Sequence, residues 1–438
     1  MKKVAFHNLG CKVNAYEMEL MQQNFTKNGF EIVPFSEKAD IYIINTCTVT
    51  NIADRKSRQM LHRAKALNPE ALVVAAGCYV ETDREGAKAD DAIDLIVGNK
   101  EKVDIVRLVE EALMRTSHAA GSVCSLTRLT DHTRAYIKIQ DGCDQYCSYC
   151  IIPFARGHVV SREEDEIFKE ITDLAAAGCK EFVITGIHLS SYGLDKEKTL
   201  GGSYNVAAKE GSFNNTALTE IIKKISKTEG VERIRLSSLE PRIITEKFLT
   251  AMASCKGFCP HFHLSLQSGS DTVLKRMNRR YDTEEFYDKV RLIRRFFEHP
   301  AITTDIIVGF PGETEEEFNE TRKYLEKADL YETHVFAYSR RKGTAADKMS
   351  GQHTQKLKNE RSRILIEDSK IRSKRFREYY IDRPSEVLIE EYVTIDGKQY
   401  GVGYNREYVR FAIKEGGLTG QIVTCVGIGM LDDETLKA

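Results

Sequence analysis

The chain has 438 residues, is 42% hydrophobic and 29% charged, and carries a formal net charge of -1. That length exceeds what one hydrophobic core usually organises, so two or three domains are expected, and the near-neutral charge excludes a globally basic binder of polyanions, leaving any such surface to be local. Eleven cysteines, an odd number with no apolar export segment at the start, argue for reduced metal-binding thiols over a disulfide framework. No apolar run approaches ~18 residues, so a cytoplasmic protein without a membrane span is expected.

The first expected domain, residues 1–118, alternates apolar runs that suit buried parallel strands with segments of helical period, which predicts an open, Rossmann-like α/β layer. The strands are Lys3 to His7, Ile41 to Asn45 and Leu72 to Ala76, and a cysteine follows each, in Gly10-Cys11, Thr46-Cys47 and Gly77-Cys78. In a parallel sheet all strand-to-helix turns lie on one edge, where ligands bind. Cys11, Cys47 and Cys78 can therefore converge although they are far apart in sequence. A lone thiol in such a turn is usually a packing residue. Three at equivalent positions point instead to a three-thiolate metal centre. Gly10 and Gly77 suit turns whose backbone approaches a bulky group.

Residues 119 to 133 read as a link, and Arg134 to Gln140 as an alternating strand. It runs into Asp141-Gly142-Cys143-Asp144-Gln145-Tyr146-Cys147-Ser148-Tyr149-Cys150, with the spacing C-x3-C-x2-C. A cubane iron-sulfur cluster has four irons, so three thiolates leave one open. Zinc or inert thiols compete, but structural zinc takes four ligands and no matching Cys or His follows within about 15 residues. Further strands are expected at Glu181 to Thr185, Glu232 to Ser237, His261 to Leu266, Ile302 to Val308 and Thr333 to Ala337. Six β/α units over residues 134–372 predict a partial barrel with its active site at the strands' carboxyl ends. Polar groups at those ends include Gly186, Ser238, Glu240 and Gln267. Helix capping is the competing role for such groups and fits best at Ser270, Thr283 and Thr314. Cys255, Cys259, His261 and His263 match zinc spacings poorly, and Cys124, Cys179 and Cys425 read as packing residues.

Residues 193 to 216, rich in Gly, Ser and Asn, suggest a long surface loop. Between Arg340 and Arg377 there are 13 Lys or Arg against 4 Asp or Glu, a density that suits a phosphate backbone, with Lys275, Arg276, Arg279 and Arg280 extending it. The alternative is a solvated amphipathic helix packed through Leu357, Ile364, Leu365 and Ile371. Residues 375–438 shift to short strands and suggest a small antiparallel β-barrel. Acidic residues outnumber basic ones there, so contact with RNA needs a local face, for which Lys398, Tyr404, Arg406, Tyr408 and Arg410 are the candidates.

With Tyr149 before its third cysteine, the Cys143, Cys147 and Cys150 motif resembles that of the radical S-adenosylmethionine (radical SAM) enzymes. The resemblance implies a [4Fe-4S] cluster on these thiols whose open iron binds S-adenosylmethionine and whose electron yields a 5′-deoxyadenosyl radical. Leu9-Gly10-Cys11-Lys12-Val13-Asn14, Asn45-Thr46-Cys47-Thr48-Val49 and Ala76-Gly77-Cys78-Tyr79 resemble the amino-terminal domain of the methylthiotransferases. That implies a second, auxiliary [4Fe-4S] cluster on Cys11, Cys47 and Cys78 that holds the sulfur to be inserted. The last strands resemble the RNA-binding TRAM module of the same family. Thr185-Gly186-Ile187-His188 stands where many radical SAM enzymes have Gly-Gly-Glu, so a backbone contact to the cofactor is expected at Gly186. Tyr149, Ser238, Glu240 and Gln267 are its other expected contacts, since hydroxyl, carboxylate and amide satisfy a ribose diol and an ammonium.

Gly10 to Asn14, and Tyr338-Ser339 with Gly343-Thr344, are most similar to the branch that modifies N6-threonylcarbamoyladenosine in tRNA. Arg340 and Ala345 depart from that branch by standing where prolines are expected. The implied reaction adds a methylthio group at carbon 2 of the adenine next to the anticodon. Its partners are the tRNA anticodon stem-loop, two molecules of S-adenosylmethionine, an electron donor and a sulfur donor, with no membrane. Isopentenyladenosine in tRNA and a ribosomal-protein aspartate are the alternative substrates.

Overall fold

The computed structural model describes residues 1–116, 133–197, 216–414 and 419–438. Cys124, nearly all of the expected link and most of the expected loop at 193–216 lie outside the described residues. The chain forms two compact units.

The first unit holds the described part of Met1–Leu129 together with Asp141–His158 and Ser339–Asp347. Its sheet has five parallel strands, β1 (Lys3–Asn8), β2 (Glu31–Val33), β3 (Ile41–Thr46), β4 (Leu72–Gly77) and β5 (Leu95–Val97), in the order β2-β1-β3-β4-β5. Every residue of β3 is buried, because helices cover both faces of a parallel sheet. Successive side chains go to opposite faces. Tyr42, Ile44 and Val73 pack with Leu61 and Ala64 of helix α2 (Asn51–Leu67). Ile41, Ile43 and Val74 pack on the other side with Met18, Met21 and Phe25 of helix α1 (Lys12–Lys27). The strand order changes direction between β1 and β3, which opens a crevice at their carboxyl ends.

The second unit holds the described part of Thr130–Gln140, Val159–Tyr338 and Lys348–Ala438. Six parallel strands form the partial barrel: β6 (Arg134–Asp141), β8 (Glu181–Gly186), β9 (Arg233–Leu236), β10 (His261–Gln267), β11 (Ala301–Val308) and β12 (Glu332–Ala337), with the two-residue β7 (Val160–Ser161) at the β6 edge. The bridge Leu239↔Leu264 joins the β9 side to β10. Ile137, Ile184, Leu264 and Ile306 lie in its core.

The last strands are β13 (Pro384–Ile395), β14 (Lys398–Tyr404), β15 (Arg410–Lys414), β16 (Ile422–Val426), β17 (Gly429–Met430) and β18 (Thr435–Lys437). They form one six-stranded sheet that is antiparallel except for the β15/β18 pair.

The helix Gln355–Glu378 departs from the expected packing. Ile371 is 69% exposed, and Leu365 is joined on the buried face by Lys358, Arg361, Arg372 and Arg377. Their long stems cover apolar surface while the heads reach defined acceptors. Lys358 Nζ donates to the Tyr338 carbonyl at 2.9 Å, Arg361 Nη1 to Glu313 Oε2 at 2.6 Å and Arg372 Nη2 to Thr333 Oγ1 at 3.2 Å. The capping expectations are also revised. Thr314 does cap its helix, accepting from Glu317 N at 3.2 Å, but Asp282 takes the cap expected of Thr283, and the Ser270 hydroxyl donates to Glu320 instead.

Candidate metal centres and cofactor site

Cys11 and Cys47 follow β1 and β3, the two strands that flank the change of direction, and Cys78 follows β4. Gly10 turns with φ +111°, and a Cβ there would come within 3.1 Å of Cys47 Sγ and 2.9 Å of Asn14 Nδ2. Gly77, at φ +101°, is equally enclosed by Asn45 and Thr46. The turns are braced from beneath. Asn14 Nδ2 donates to the carbonyls of Leu9 at 2.7 Å and Thr46 at 3.1 Å, and Thr46 Oγ1 donates to the Ala76 carbonyl at 2.6 Å. Burial, with the neighbouring Cys78 and Cys11 thiols adding to it, pushes the Cys47 thiol up to about 11. Such a thiol ionises readily only when a cation or metal takes the charge.

The C-x3-C-x2-C loop belongs to the same unit. Gly142, at φ +70°, lies against the His158 carbonyl so closely that no side chain fits. Cys143 N donates to the Gly157 carbonyl at 3.0 Å and Cys150 N to the Cys147 carbonyl at 2.9 Å, which closes the loop on itself. Ala346 N also donates to the Ser148 carbonyl, at 2.7 Å. All three thiols are partly accessible, as is Tyr149. Among the described residues no three His, Cys, Asp or Glu are drawn together tightly enough for a single metal ion. A cubane takes its thiolates on separate irons and does not demand that proximity.

Two adjacent residues just past the loop join it to the first sheet, a connection with no local sequence signal. Asn99 Nδ2 donates to the Ala155 carbonyl at 2.9 Å and lies 3.6 Å from Cys78 Sγ. Arg156 reaches Glu17, Asn14 and Asp141, and Lys102 Nζ completes the cluster on Glu17 Oε2 at 2.6 Å. In the same unit Arg341 donates to Thr48 Oγ1, Asn51 Oδ1 and Asp54 Oδ2 at 2.6 to 2.7 Å, next to Cys47 in sequence.

In the second unit Gly186, Ser238, Glu240 and Gln267 all stand at carboxyl ends of barrel strands. A Cβ on Gly186 would meet Gln140 Oε1 at 2.7 Å. Gln267 is buried and adopts φ +75° after a register shift in β10, a strained backbone for a residue with a side chain. Glu240 is 5% exposed; its Oε1 accepts from Arg242 Nε at 2.9 Å, while its Oε2 is buried with no protein partner. Ser237 Oγ is likewise buried and unpaired, whereas Ser238 is exposed. Buried polar atoms are ordinarily satisfied, and these two oxygens at adjoining strand-end positions have no protein donor. Nothing in the sequence singles out Ser237, because adjacent serines at a strand end give no clue to which one turns inward.

The model of the Radical SAM superfamily matches residues 137–325, and that of Uncharacterized protein family UPF0004 matches residues 3–98. Threonylcarbamoyladenosine tRNA methylthiotransferase MtaB of Bacillus subtilis is 38% identical over 425 residues, 94% of this chain and 91% of that protein. The protein of the same name from Aquifex aeolicus is 38% identical over 419 residues, 91% of this chain and 97% of that one. The chain belongs to the radical SAM methylthiotransferases.

A second group of relatives of this methylthiotransferase is represented by the tRNA-2-methylthio-N(6)-dimethylallyladenosine synthase of Alkaliphilus oremlandii, 32% identical over 404 residues, 89% of this chain and 82% of that protein. Among solved structures, the radical S-adenosylmethionine methyltransferase TsrM from Kitasatospora setae is similar in fold, with a TM-score of 0.55 at 16% identity, covering 79% of this chain and 77% of that one. Membership of the radical SAM family implies a [4Fe-4S] cluster and S-adenosylmethionine. The residues fit both: three thiols on one short loop, and strand ends that carry orphaned buried oxygens. No helix among the described residues is long and apolar enough to cross a membrane.

One expectation about the methylthiotransferase is corrected. Tyr404 and Tyr408 stack on each other at 4.5 Å, with Arg134 and Arg235 over the Tyr408 ring at 4.9 and 4.6 Å. Arg406 Nη2 donates to the Phe258 carbonyl at 2.8 Å. These contacts hold the last sheet to the amino ends of the barrel strands and occupy the Tyr404 and Tyr408 ring faces within the protein, while Tyr404, Arg406 and Tyr408 remain partly accessible. The cause is Glu181, fully buried, which draws Arg134 and Arg235 to 2.9 Å each and Arg233 to 3.8 Å. Three cations around one carboxylate leave positive charge over, which the Glu390 carboxylate paired with Arg134, the π-faces and the carbonyls of the last sheet take up.

Proposed function

We propose that this chain is the tRNA methylthiotransferase that acts on N6-threonylcarbamoyladenosine, adding a methylthio group at carbon 2 of that base next to the anticodon. The observation that carries the substrate is the ranking of relatives. Four proteins named for that activity are 36–38% identical over most of this chain, against 31–32% for those named for dimethylallyladenosine. In this reading Cys143, Cys147 and Cys150 hold one [4Fe-4S] cluster and Cys11, Cys47 and Cys78 an auxiliary one. The domains are 1–118, 134–372 and a TRAM-like 375–438, and the enzyme works in the cytoplasm, supplied by separate electron and sulfur donors.

An unactivated carbon–hydrogen bond offers no proton to a base, so acid-base side chains cannot open it and a radical source is required. When bound, the loop cluster would supply the electron that splits S-adenosylmethionine into a 5′-deoxyadenosyl radical, and the auxiliary cluster would carry the sulfur. The protein's share is binding, orientation and exclusion of water. The unpaired Glu240 Oε2 and Ser237 Oγ, with Gln267 and the Gly186 backbone, present an acceptor and polar groups suited to the ammonium and ribose of S-adenosylmethionine. Tyr149, on the cysteine loop, is the remaining residue assigned to the cofactor.

The test is incubation of anaerobically reconstituted enzyme with tRNA lacking the modification, followed by nucleoside analysis. The 2-methylthio product is expected only where threonylcarbamoyladenosine is present; product from isopentenyladenosine, or from a ribosomal protein, would overturn the substrate assignment. A Cys143→Ala, Cys147→Ala, Cys150→Ala variant should keep about half the iron and lose 5′-deoxyadenosine formation.

A further inference from the structure

We infer that Asn99 is a positioning residue that tunes the amino-terminal cluster and ties it to the loop carrying Cys143, Cys147 and Cys150; this rests on the reading of Cys11, Cys47 and Cys78 as cluster ligands. Asn99 lies two residues past β5, and its carboxamide nitrogen carries two N–H groups. One meets the Ala155 carbonyl at 2.9 Å and the other points to Cys78 Sγ at 3.6 Å. The carbonyl of Ala155 can only accept, so it fixes which end of the carboxamide faces this way. Oδ1 stands farther from the sulfur, at 4.0 Å, so a Cys78 thiolate takes the N–H.

The residue is held where it is. Its backbone N–H donates to Glu81 Oε1 at 2.6 Å, and Glu81 sits on α3 (Cys78–Thr82), the short helix that begins with Cys78 itself. The preceding Gly98 N–H donates to Glu101 Oε2 at 2.6 Å. Two backbone contacts that do not involve the loop therefore hold Asn99 beside Cys78. Its grip on Ala155 is reinforced by the next residue, Arg156, through Glu17 and Asn14.

Hydrogen bonds to cluster sulfurs set reduction potential, because a donor stabilises the reduced and more negative state. Asn99 thus makes the amino-terminal cluster easier to reduce. The same side chain registers the backbone of the other cysteine loop, a role that Asp cannot reproduce, having no N–H, and that Ala lacks altogether.

The experiment uses full-length protein reconstituted anaerobically in the Cys143→Ala, Cys147→Ala, Cys150→Ala background, where only the amino-terminal cluster remains. Redox titration followed by electron paramagnetic resonance reads its midpoint. Asn99→Ala is expected to shift the one-electron equilibrium about tenfold toward the oxidised form, ~59 mV lower. The isosteric Asn99→Asp should fall further, since it replaces a donor with a negative acceptor, and both should retain iron. Wild-type midpoints in both variants would overturn the inference, and so would loss of iron in both, which would make Asn99 a support for the ligand and not a tuner. If the background protein with Asn99 intact binds no iron, the auxiliary-cluster reading itself fails, which is a separate outcome.

Discussion

Arg156 donates from Nη1 to Glu17 Oε1 at 2.9 Å across 139 residues of sequence, with its own side chain 1% exposed. Burial alone would lower the guanidinium's proton affinity, but Glu17, the Cys78 thiol and Asp141 raise it well above its ordinary value. Glu17 also accepts from Lys102, so the carboxylate is shared by two cations in a nearly water-free place. Removing one member of a buried pair leaves the other uncompensated, typically at a cost of about 3–5 kcal/mol. Arg156→Met is expected to lose that much in denaturant unfolding of the first unit. Paired with Glu17→Gln it should lose clearly less than the sum of the single changes. Strict additivity would show that the two residues do not act together.

Glu181 makes the acid stability of the second unit predictable. Full burial would raise its carboxyl, yet Arg235 and Arg134 outweigh that and hold it at about 2. A carboxylate whose folded pKa is depressed contributes stability that is complete above its unfolded value, near 4.3, and is lost as pH falls toward 2. The difference is worth about 3 kcal/mol. Glu181→Gln should be destabilised at pH 7, where it leaves three arginines around an uncharged group. The gap between it and wild type should then close by about that amount between pH 5 and pH 2, as measured by thermal unfolding at each pH. A gap that stays constant would mean Glu181 does not titrate in this window.

All six long barrel strands were legible, β8 and β11 as near-continuous apolar runs and β6 and β10 by alternation of apolar with polar residues, and β11 and β12 start within a residue of the expected positions. The three-residue strands β2 and β5 carry too little pattern to register, though β2 completes the edge beyond β1. That Cys11, Cys47 and Cys78 each follow a strand of one parallel sheet could be read from the sequence, since parallel strands deliver their following turns to one edge. Arg156, Glu17, Lys102 and Asn99 could not, because buried charge is unusual and partners 85 or 139 residues apart leave no spacing to recognise. The same blindness explains Tyr404 and Tyr408. An aromatic pair beside an arginine looks like a base-stacking platform until Glu181, in another domain of sequence, is seen to collect the arginines beneath it.

Gly10 should not tolerate a methyl group. Its φ of +111° costs an L-residue roughly 1–2 kcal/mol, and the new Cβ would press on Cys47 Sγ and Asn14 Nδ2. Gly10→Ala is therefore expected to lower iron content after reconstitution toward that of a single cluster while leaving the C-x3-C-x2-C loop loaded. Gly29, also at positive φ but with open space where a Cβ would stand, is the control: Gly29→Ala should cost stability without changing iron. Equal iron in the two variants would remove the link between the Gly10 turn and metal binding.

The cations of the helix Gln355–Glu378 divide into two sets with different expected roles. Lys358, Arg361, Arg372 and Arg377 are buried in structural contacts, whereas the exposed set holds Lys356, Lys370 and Lys374 together with Arg363 and Arg375, which are paired with Glu367 and Asp329. Only the exposed set can neutralise phosphates, and each phosphate contact contributes roughly 0.7–0.9 to the slope of log affinity against log salt. Replacing Lys356, Lys370 and Lys374 by alanine should weaken tRNA binding about equally for different sequences and reduce that slope by roughly two to three. Circular dichroism should remain unchanged. Arg361→Ala should behave in the opposite way, with a loss of stability from the unpaired Glu313 that appears before any change in slope. A triple variant whose slope equals that of wild type would place the phosphate contacts elsewhere on the chain. Candidates would then include Arg363 and Arg375 on the same helix, and Lys275 and Arg280 ahead of Arg276, which Glu317 engages at 2.7 Å, and Arg279, which donates to the Ser265 carbonyl at 3.1 Å.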